Sequence, residues 1–248
     1  MTSAIDQARA FLAQAKRPVF FTGAGMSADS GVPTFRDALT GLWAQYDPTQ
    51  LATGEAFERD PELVWNFYEH RRGIVRKCAP NAGHHALAIF EQRDGRPVTV
   101  ITQNVDGYHQ LAGNRRALCL HGNIMENRCH KGCPGIFPAV EPRNVEPVPP
   151  ACPSCGQRTL RPNVVWFGET LDEQVLANAR DAVEDCDLMI VIGTSGVVYP
   201  AAGLADLALR LGKRFIEINP EPSPWSDQAN VYLRGRSSDV LPQILLGE

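Results

Sequence analysis

The sequence lacks the features of several protein classes. None of its apolar runs approaches the roughly 20 residues needed to span a bilayer, and its N-terminus has no basic region followed by an apolar core. Neither charge sign dominates, because 24 basic residues face 28 acidic ones, for a net charge of -4. Composition therefore gives no case for a membrane protein or a nucleic-acid-binding protein. We expect a cytoplasmic protein in a reducing compartment.

Length and repeat content set the domain count. The chain has 248 residues, of which 44% are hydrophobic, as in an ordinary globular protein. This is enough for one large domain, or for a core with a small insertion. We find no internal repeats, and we expect a monomer.

Short apolar runs alternate with stretches of helical spacing along most of the chain. The first run holds Val19, Phe20 and Phe21 and ends in a glycine turn. Buried parallel strands are expected over 97–102, 187–195 and 214–219, and helices over 4–16, 84–92, 171–184 and 201–211. The alternation predicts an α/β fold with a Rossmann-like parallel sheet and helices on both faces.

Two segments break this rhythm and are expected to form a small zinc-binding and helical lobe within a single domain, 1–248. Residues 38–83 have helical spacing. Residues 125–163 contain two cysteine pairs, with six prolines between Cys133 and Cys152, which exclude a regular helix or central strand there. The Rossmann-type core is then assigned to approximately 1–37, 84–124 and 164–248.

Four of the seven cysteines come in two close pairs, Cys129/Cys133 and Cys152/Cys155, separated by 18 residues. In a reducing compartment such pairs favour a metal over disulfides. Four thiolates suit tetrahedral zinc and leave no open position for water, so the zinc is expected to be structural. His130 is an alternative ligand, and reduced, unliganded thiols are the other interpretation.

Polar residues follow the apolar runs where a ligand would bind in an α/β fold. Gly23 and Gly25 fit the first two positions of G-x-G-x-x-G, but the third glycine is missing, so the turn alone is weak support for a dinucleotide site. Asn104, Asp106 and His121 each have a common structural explanation. Together they supply the amide, carboxylate and imidazole needed to orient and deprotonate a sugar hydroxyl.

Several motifs, in a fixed order, closely resemble those of the sirtuins, the NAD-dependent protein lysine deacylases. They are GAGMSADSGVPTFR at 23–36, TQNVDGYH at 102–109, LHGN at 120–123, the four cysteines, RPNVVWFGE at 161–169, GTSGVVYPAAGL at 193–204 and INPEP at 218–222. The resemblance covers most of the chain. It implies a Rossmann-type domain with a small zinc and helical lobe, one structural zinc, and a cleft where NAD meets an acyl-lysine protein or peptide.

The resemblance also implies roles for individual residues. His121 would be the catalytic base, with Asn104 and Asp106 as catalytic partners. Tyr68 and Arg71 would hold the acyl group, and Val165, Trp166, Phe167 and Gly168 would pair with the substrate peptide. Cys129, Cys133, Cys152 and Cys155 would bind zinc. The NAD-binding residues would be Gly23, Ala24, Gly25, Ser27, Val32, Phe35, Arg36, Gln103, Asn104, Val105, Asp106, Gly193, Thr194, Ser195, Asn219, Pro220, Glu221 and Ser237.

By the same resemblance, NAD is consumed as a co-substrate. The acyl-lysine oxygen attacks the nicotinamide ribose, nicotinamide leaves, and His121 takes a proton from the ribose hydroxyls. The products are free lysine and O-acyl-ADP-ribose. Two small departures stand out. The first cysteine pair has three intervening residues instead of two, and the family's Gly-x-Ala motif reads Gly235-Arg236-Ser237.

The acyl preference depends on Tyr68 and Arg71, which are three residues apart and so share one helix face. A phenol beside a guanidinium can hold a carboxylate. Tyr-x-x-Arg at this place resembles the class III sirtuins, which remove succinyl, malonyl and glutaryl groups, and some bacterial members also remove acetyl. Arg72 is turned about 100° away around the helix and is a weaker candidate.

Other functions stay open at this point. The enzyme could be a deacetylase only, or a protein mono-ADP-ribosyltransferase that uses the same pocket. A non-catalytic NAD-sensing or zinc-dependent scaffold would not need a base such as His121. A hydride-transfer dehydrogenase is disfavoured, because the third glycine and the expected acidic residue are missing.

Overall fold

A six-stranded parallel sheet forms the larger part of the protein, whose computed structural model describes residues 3–33, 47–139 and 147–247. Its strand order is β3-β2-β1-β7-β8-β9, and every neighbouring pair is parallel. This confirms the predicted fold class. The strands are β1 Pro18–Thr22, β2 Thr99–Thr102, β3 Ala117–Cys119, β7 Leu188–Ile192, β8 Arg214–Asn219 and β9 Val231–Arg234.

Helices cover both faces of the sheet, and every residue of β1 and β7 is buried. One core cluster joins the sheet to α1, α6 and α10, and a second joins it to α8 and α9. None of the helices in the described ranges is long and apolar enough to cross a membrane. The helices are α1 Ala4–Gln14, α2 Gly25–Ala28, α3 Pro48–Leu51, α4 Gly54–Arg59, α5 Pro61–Lys77, α6 Ala82–Asp94, α7 Tyr108–Ala112, α8 Glu173–Asp185, α9 Gly203–Arg210 and α10 Ser237–Leu246.

Local sequence signals explain where these elements begin and end. β8 covers the predicted range 214–219. β7 ends at Ile192, short of the predicted 195, because Gly193 takes a left-handed φ of 57° and turns the chain into a loop. Asn81 caps α6, and its side chain accepts hydrogen bonds from the Gly83 and His84 amides. β9 and α10 were not predicted, and Pro242 lies inside α10.

A second, three-stranded antiparallel sheet belongs to the segment that carries the cysteines. Its order is β5-β4-β6, with β4 Gly122–Cys129, β5 Ile136–Pro138 and β6 Leu160–Val164. The sulfur atoms of Cys129, Cys133, Cys152 and Cys155 all lie within 4.8 Å of one another. Four soft donors at this separation fit a tetrahedral zinc ion. The predicted structural zinc site therefore has its four ligands in place.

A buried arginine joins this second sheet to α5. Arg72 is fully buried, and its guanidinium donates to Glu69 and Asn127 side chains and to the carbonyls of Ile124 and Glu126. The pairing between β4 and β6 shifts register over this stretch of β4. Such an irregularity leaves carbonyl groups outside the ladder, and the arginine satisfies two of them. Arg72 is therefore a structural residue.

The cysteine cluster predicts that one zinc ion per chain is needed for the second sheet to be stable. Cys155→Ala should lose zinc, measured by atomic emission, and should melt at a lower temperature than the parent protein. Cys119→Ser, at a cysteine outside the cluster, serves as the control and should keep its zinc. A zinc-free parent protein with the same melting temperature would contradict the prediction.

The Arg72 contacts predict a large loss of stability when the guanidinium is removed. Arg72→Met removes the donor from Glu69 Oε1 and from the two buried carbonyls of Ile124 and Glu126, so the free energy of unfolding should fall by about 3–5 kcal/mol. Chemical denaturation measures this difference. Lys77→Met, at an exposed position of the same helix, should cost under about 1 kcal/mol. Equal effects of the two substitutions would show that Arg72 does not anchor the sheet.

Candidate active site

A cavity of about 730 Å³ opens at the carboxyl ends of the parallel strands. It lies where the strand order reverses, because β1 leads to β2 and β3 on one side and β7 leads to β8 and β9 on the other. The sequence-predicted residues in its wall are Gly23, Ala24, Gly25, Ser27, Val32, Tyr68, Arg71, Gln103, Asn104, Val105, Asp106, His121, Val165, Trp166, Phe167, Gly168, Gly193, Thr194, Ser195, Asn219, Pro220 and Glu221.

Of the predicted residues that the structure describes, Ser237 does not stand in this wall. Phe35 and Arg36 lie outside the described residues. Ser237 is buried behind α2, where its hydroxyl donates to the Gly25 and Met26 carbonyls at 3.3 and 3.4 Å. Ser237 is therefore placed to support the glycine turn from behind.

The glycine turn after β1 packs directly on the loop after β7. The amide of Gly25 donates to the carbonyl of Gly193 at 2.8 Å. A Cβ atom on Gly25 would lie 2.7 Å from the Gly193 Cα, and one on Gly193 would lie 2.6 Å from the Gly25 carbonyl carbon. Neither position can carry a side chain, so bare backbone lines this end of the cavity. Backbone amides without side chains suit the close approach of a phosphate.

Ser27 stands at the centre of a buried polar group. Its hydroxyl donates to Asp106 Oδ2 at 2.7 Å and accepts from Asn104 Nδ2 at 3.1 Å. The other oxygen of Asp106 accepts from the Tyr108 amide, and burial raises the pKa of Asp106. The hydroxyl proton of Ser27 is thus engaged on Asp106. A phosphate contact through that hydroxyl would require it to turn away from the carboxylate.

His84 supports this group and was not among the predicted site residues. The Asn81 amide donates to its Nδ1, so the ring proton is on Nε2, which lies 3.4 Å from Ser27 Oγ. Burial, with the neighbouring His109 and His85, lowers the pKa of His84 to about 3. The residue is therefore a neutral hydrogen-bond donor. The only local signal was its position as the third residue of α6.

His121 has the hydrogen bonding of a general base. Its Nδ1 lies 2.9 Å from the Gln103 carbonyl oxygen, which can only accept. Nδ1 therefore carries the ring proton, and Nε2 keeps its lone pair. Burial lowers the pKa of His121, although the bond to Gln103 opposes this. At neutral pH the ring is uncharged and can take a proton.

The loops after β2, β7 and β8 are joined through Thr194. Gln103 Nε2 donates to its hydroxyl oxygen at 3.0 Å, and Asn219 Nδ2 donates to its carbonyl at 3.0 Å. Three loops from separate parts of the chain are thus fixed relative to one another. These bonds hold Thr194 and Asn219, two of the predicted NAD-binding residues, in fixed positions.

The opposite end of the cavity is formed by α5 and the segment after β6. Tyr68 and Arg71 line it from the same face of α5. Trp166 Nε1 donates to the Tyr68 hydroxyl at 2.9 Å, a contact between residues far apart in sequence that no local pattern could predict. Burial lowers the pKa of Arg71, but the residue stays cationic because its ordinary pKa is so high. Apolar residues surround this end, including Ile74, Val75, Ile124 and Val164.

The predicted peptide-pairing segment, 165–168, has most of its amides already in use. The Val165 amide donates to the His121 carbonyl, the Phe167 amide to the Ala52 carbonyl, and the Trp166 amide to Glu169 Oε2. A substrate strand would therefore pair here through carbonyl groups and through Gly168.

Comparisons with known proteins agree with this geometry. Residues 23–200 match the model of the Sir2 family. The chain is 48% identical to NAD-dependent protein deacylase 2 of Pyrobaculum aerophilum, over 94% of this chain and 92% of the relative. It is 46% identical to the NAD-dependent protein deacylase of Ralstonia nicotianae, over 96% of this chain and 95% of the relative.

Solved structures of Sir2 proteins have the same fold as this chain. A Sir2 homolog in complex with NAD is 42% identical, with a TM-score of 0.89 over 98% of this chain and 93% of its own. A complex of Sir2, a p53 peptide and NAD is 29% identical, with a TM-score of 0.85 over 98% of both chains. The chain therefore belongs to the Sir2 family of NAD-dependent protein deacylases.

Proposed function

We propose that this enzyme removes succinyl and malonyl groups, and also acetyl groups, from lysine side chains of proteins. It consumes NAD and releases nicotinamide and O-acyl-ADP-ribose. The observation that carries the acyl preference is that Tyr68 and Arg71 line the same cavity as His121. A carboxylate-binding pair and a base in one cavity suit an acyl group with a terminal negative charge.

The charges of the cavity wall support this preference. Arg71 is the one arginine or lysine among the described residues of the wall, so a carboxylate has a single strong cationic partner there. Tyr68 is buried beside it, and its hydroxyl can donate a second hydrogen bond. Arg72, the neighbour in sequence, is already engaged by Glu69 and the β4 carbonyls. The two arginines thus have separate roles, in binding and in folding.

The nucleotide end of the cavity supports NAD as the co-substrate. Gly23, Gly25 and Gly193 offer backbone without side chains, which suits a pyrophosphate. Asp106 and Asn104 are bonded to Ser27 next to this turn, and in this proposal they hold the ribose. The Sir2 homolog whose structure contains NAD has the same fold at 42% identity.

His121 performs the proton transfer in this proposal. When NAD and the acyl-lysine are bound, NAD supplies the electrophilic ribose carbon. The Nε2 lone pair of His121 then accepts a proton from a ribose hydroxyl, and the Gln103 carbonyl stabilises the resulting imidazolium through Nδ1. The amide of Asn104 and the carboxylate of Asp106 keep the sugar in place. We further propose a reducing compartment such as the cytoplasm, where cysteines remain available to zinc.

The proposed acyl preference predicts the effect of replacing Arg71. Arg71→Met should lower kcat/KM for a succinyl-lysine peptide by roughly 10- to 100-fold, because a charge-assisted hydrogen bond is lost. The loss for the matching acetyl-lysine peptide should be much smaller, since acetyl has no carboxylate. Mass spectrometry of both peptides with and without NAD gives the rates.

Arg71→Lys is the matched control for that substitution. It keeps the charge but loses the planar pair of donors, so it should lie between the parent and Arg71→Met. Removal of acetyl alone by the parent protein would refute the acyl preference and leave the family assignment in place. Nicotinamide release that needs no acylated peptide would instead favour ADP-ribosyl transfer.

The proposed role of His121 predicts the pH dependence of the reaction. Burial lowers the pKa of His121, and the neutral ring is the active form, so activity should be lost only as the pH falls through this lowered value. The acid limb of kcat/KM should therefore lie below about pH 6.5, the ordinary histidine value. His121→Ala should retain NAD binding by calorimetry and lose roughly 100-fold or more in rate.

His85→Ala provides the comparison for His121→Ala, because His85 is an exposed histidine on α6. It should keep the rate and the pH profile of the parent. An acid limb well above pH 6.5, or substantial turnover by His121→Ala, would rule out His121 as the base.

A further inference from the structure

We propose that Trp166 is a positioning residue that sets the selectivity for acidic acyl groups, by fixing the Tyr68 hydroxyl as a hydrogen-bond donor toward the acyl end of the cavity. This inference rests on the proposed carboxylate pair of Tyr68 and Arg71. In this inference Trp166 does not touch the acyl group itself and acts on it through Tyr68.

The hydrogen bond between the two rings sets the direction of the phenol proton. An indole Nε1–H can only donate, and it lies 2.9 Å from the Tyr68 oxygen. The phenol oxygen therefore accepts from Trp166, and its own proton must point elsewhere. Among the described residues, none accepts that proton. Because Tyr68 is 3% exposed and lines the cavity, its proton is in reach of a group bound there.

The protonation state of Tyr68 agrees with a donor role. Burial raises the pKa of Tyr68 to about 12, although Arg71 and the Trp166 bond act in the opposite direction. The phenol is therefore protonated at any working pH. A succinyl or malonyl carboxylate would accept from it and from the Arg71 guanidinium at the same time.

Trp166 itself is held through its amide and through the face of its ring. Its amide donates to Glu169 Oε2 at 2.9 Å. The guanidinium carbon of Arg161 lies 3.5 Å from the centre of the indole ring, close enough for a cation–π contact. Arg161 is bound in turn to both oxygens of Glu169, at 2.5 and 2.8 Å. This group of charges fixes the indole plane, so Nε1 keeps its direction.

An acetyl group would gain little from this arrangement. It ends in a methyl group and offers no acceptor beyond the reacting carbonyl, so a donor in the acyl pocket meets no partner. The orientation of the Tyr68 proton therefore favours acidic acyl groups over neutral ones. The peptide backbone contacts of the segment 165–168 are the same for both substrates and do not affect the ratio.

The test is Trp166→Phe, which keeps an aromatic ring under Arg161 and removes the Nε1–H. The readout is the ratio of kcat/KM for succinyl-lysine to that for acetyl-lysine in one peptide sequence. Losing one oriented hydrogen bond should lower this ratio roughly 3- to 10-fold. General damage to peptide binding lowers both rates and leaves the ratio unchanged, and that result would overturn the proposal.

A double-substitution cycle shows whether Trp166 acts through Tyr68. Tyr68→Phe alone should lower the same ratio, and adding Trp166→Phe should lower it no further. An independent, additive loss in the double variant would overturn the proposal. If Trp166→Phe does not fold, NMR of the folded Tyr68→Phe protein tests the bond instead, through the indole N–H resonances of its tryptophans. One of the four should move upfield from its position in the parent, and four unmoved resonances would refute the bond.

The experiment separates this inference from the proposed function. If Arg71→Met lowers succinyl removal as predicted but Trp166→Phe leaves the ratio unchanged, only the role of Trp166 is refuted. If the parent protein removes no succinyl or malonyl group, the carboxylate pair is refuted and the role of Trp166 falls with it.

Discussion

The packing of Gly25 against Gly193 is the contact on which the site depends. β1 and β7 are adjacent parallel strands, and the chain leaves them in opposite directions at the carboxyl edge of the sheet. The crevice between their loops is narrow, because the two backbones approach with no side chain between them. A larger residue at either glycine would separate the loops. The cavity lies at this point because the strand order reverses between β1 and β7 and because both loops have glycine where their backbones touch.

Buried polar groups determine what the cavity can do. Ser27, Asp106, Asn104 and His84 form a satisfied hydrogen-bonded group at the nucleotide end. At the acyl end, Arg161 and Glu169 neutralise each other beside Trp166. Buried polar groups are stable only when each finds its partners. The fixed side-chain directions of the site follow from this requirement.

Much of the fold could be predicted from the sequence, since it depends on local periodicity. The apolar runs gave the strands β1, β2, β7 and β8, and the cysteine spacing indicated the metal site. The sequence did not predict β9 or α10. In β9 only Val231 and Leu233 are buried, so the strand has no continuous apolar run, and in α10 Pro242 interrupts the helical pattern.

The sequence could predict which residues belong to the candidate site, but not which of them contact one another. Glycines, His121 and the Tyr68/Arg71 pair could be recognised from motifs. The engagement of Ser27 by Asp106, the support from His84 and the bond from Trp166 to Tyr68 join residues 57 to 98 positions apart. Such pairs arise only when the elements pack together, and no local pattern encodes them.

The anchoring of Arg72 has a consequence for the whole second sheet. Its bonds to Ile124, Glu126 and Asn127 fix the rotation of α5 against β4, and β4 ends at Cys129, one of the four clustered cysteines. One strand thus connects the thiolate cluster to the helix that presents Arg71. A rotation of α5 by one residue would exchange the two arginines. In the function proposed above, the ordering of the second sheet by zinc and the recognition of the acyl group by Arg71 would therefore be mechanically linked.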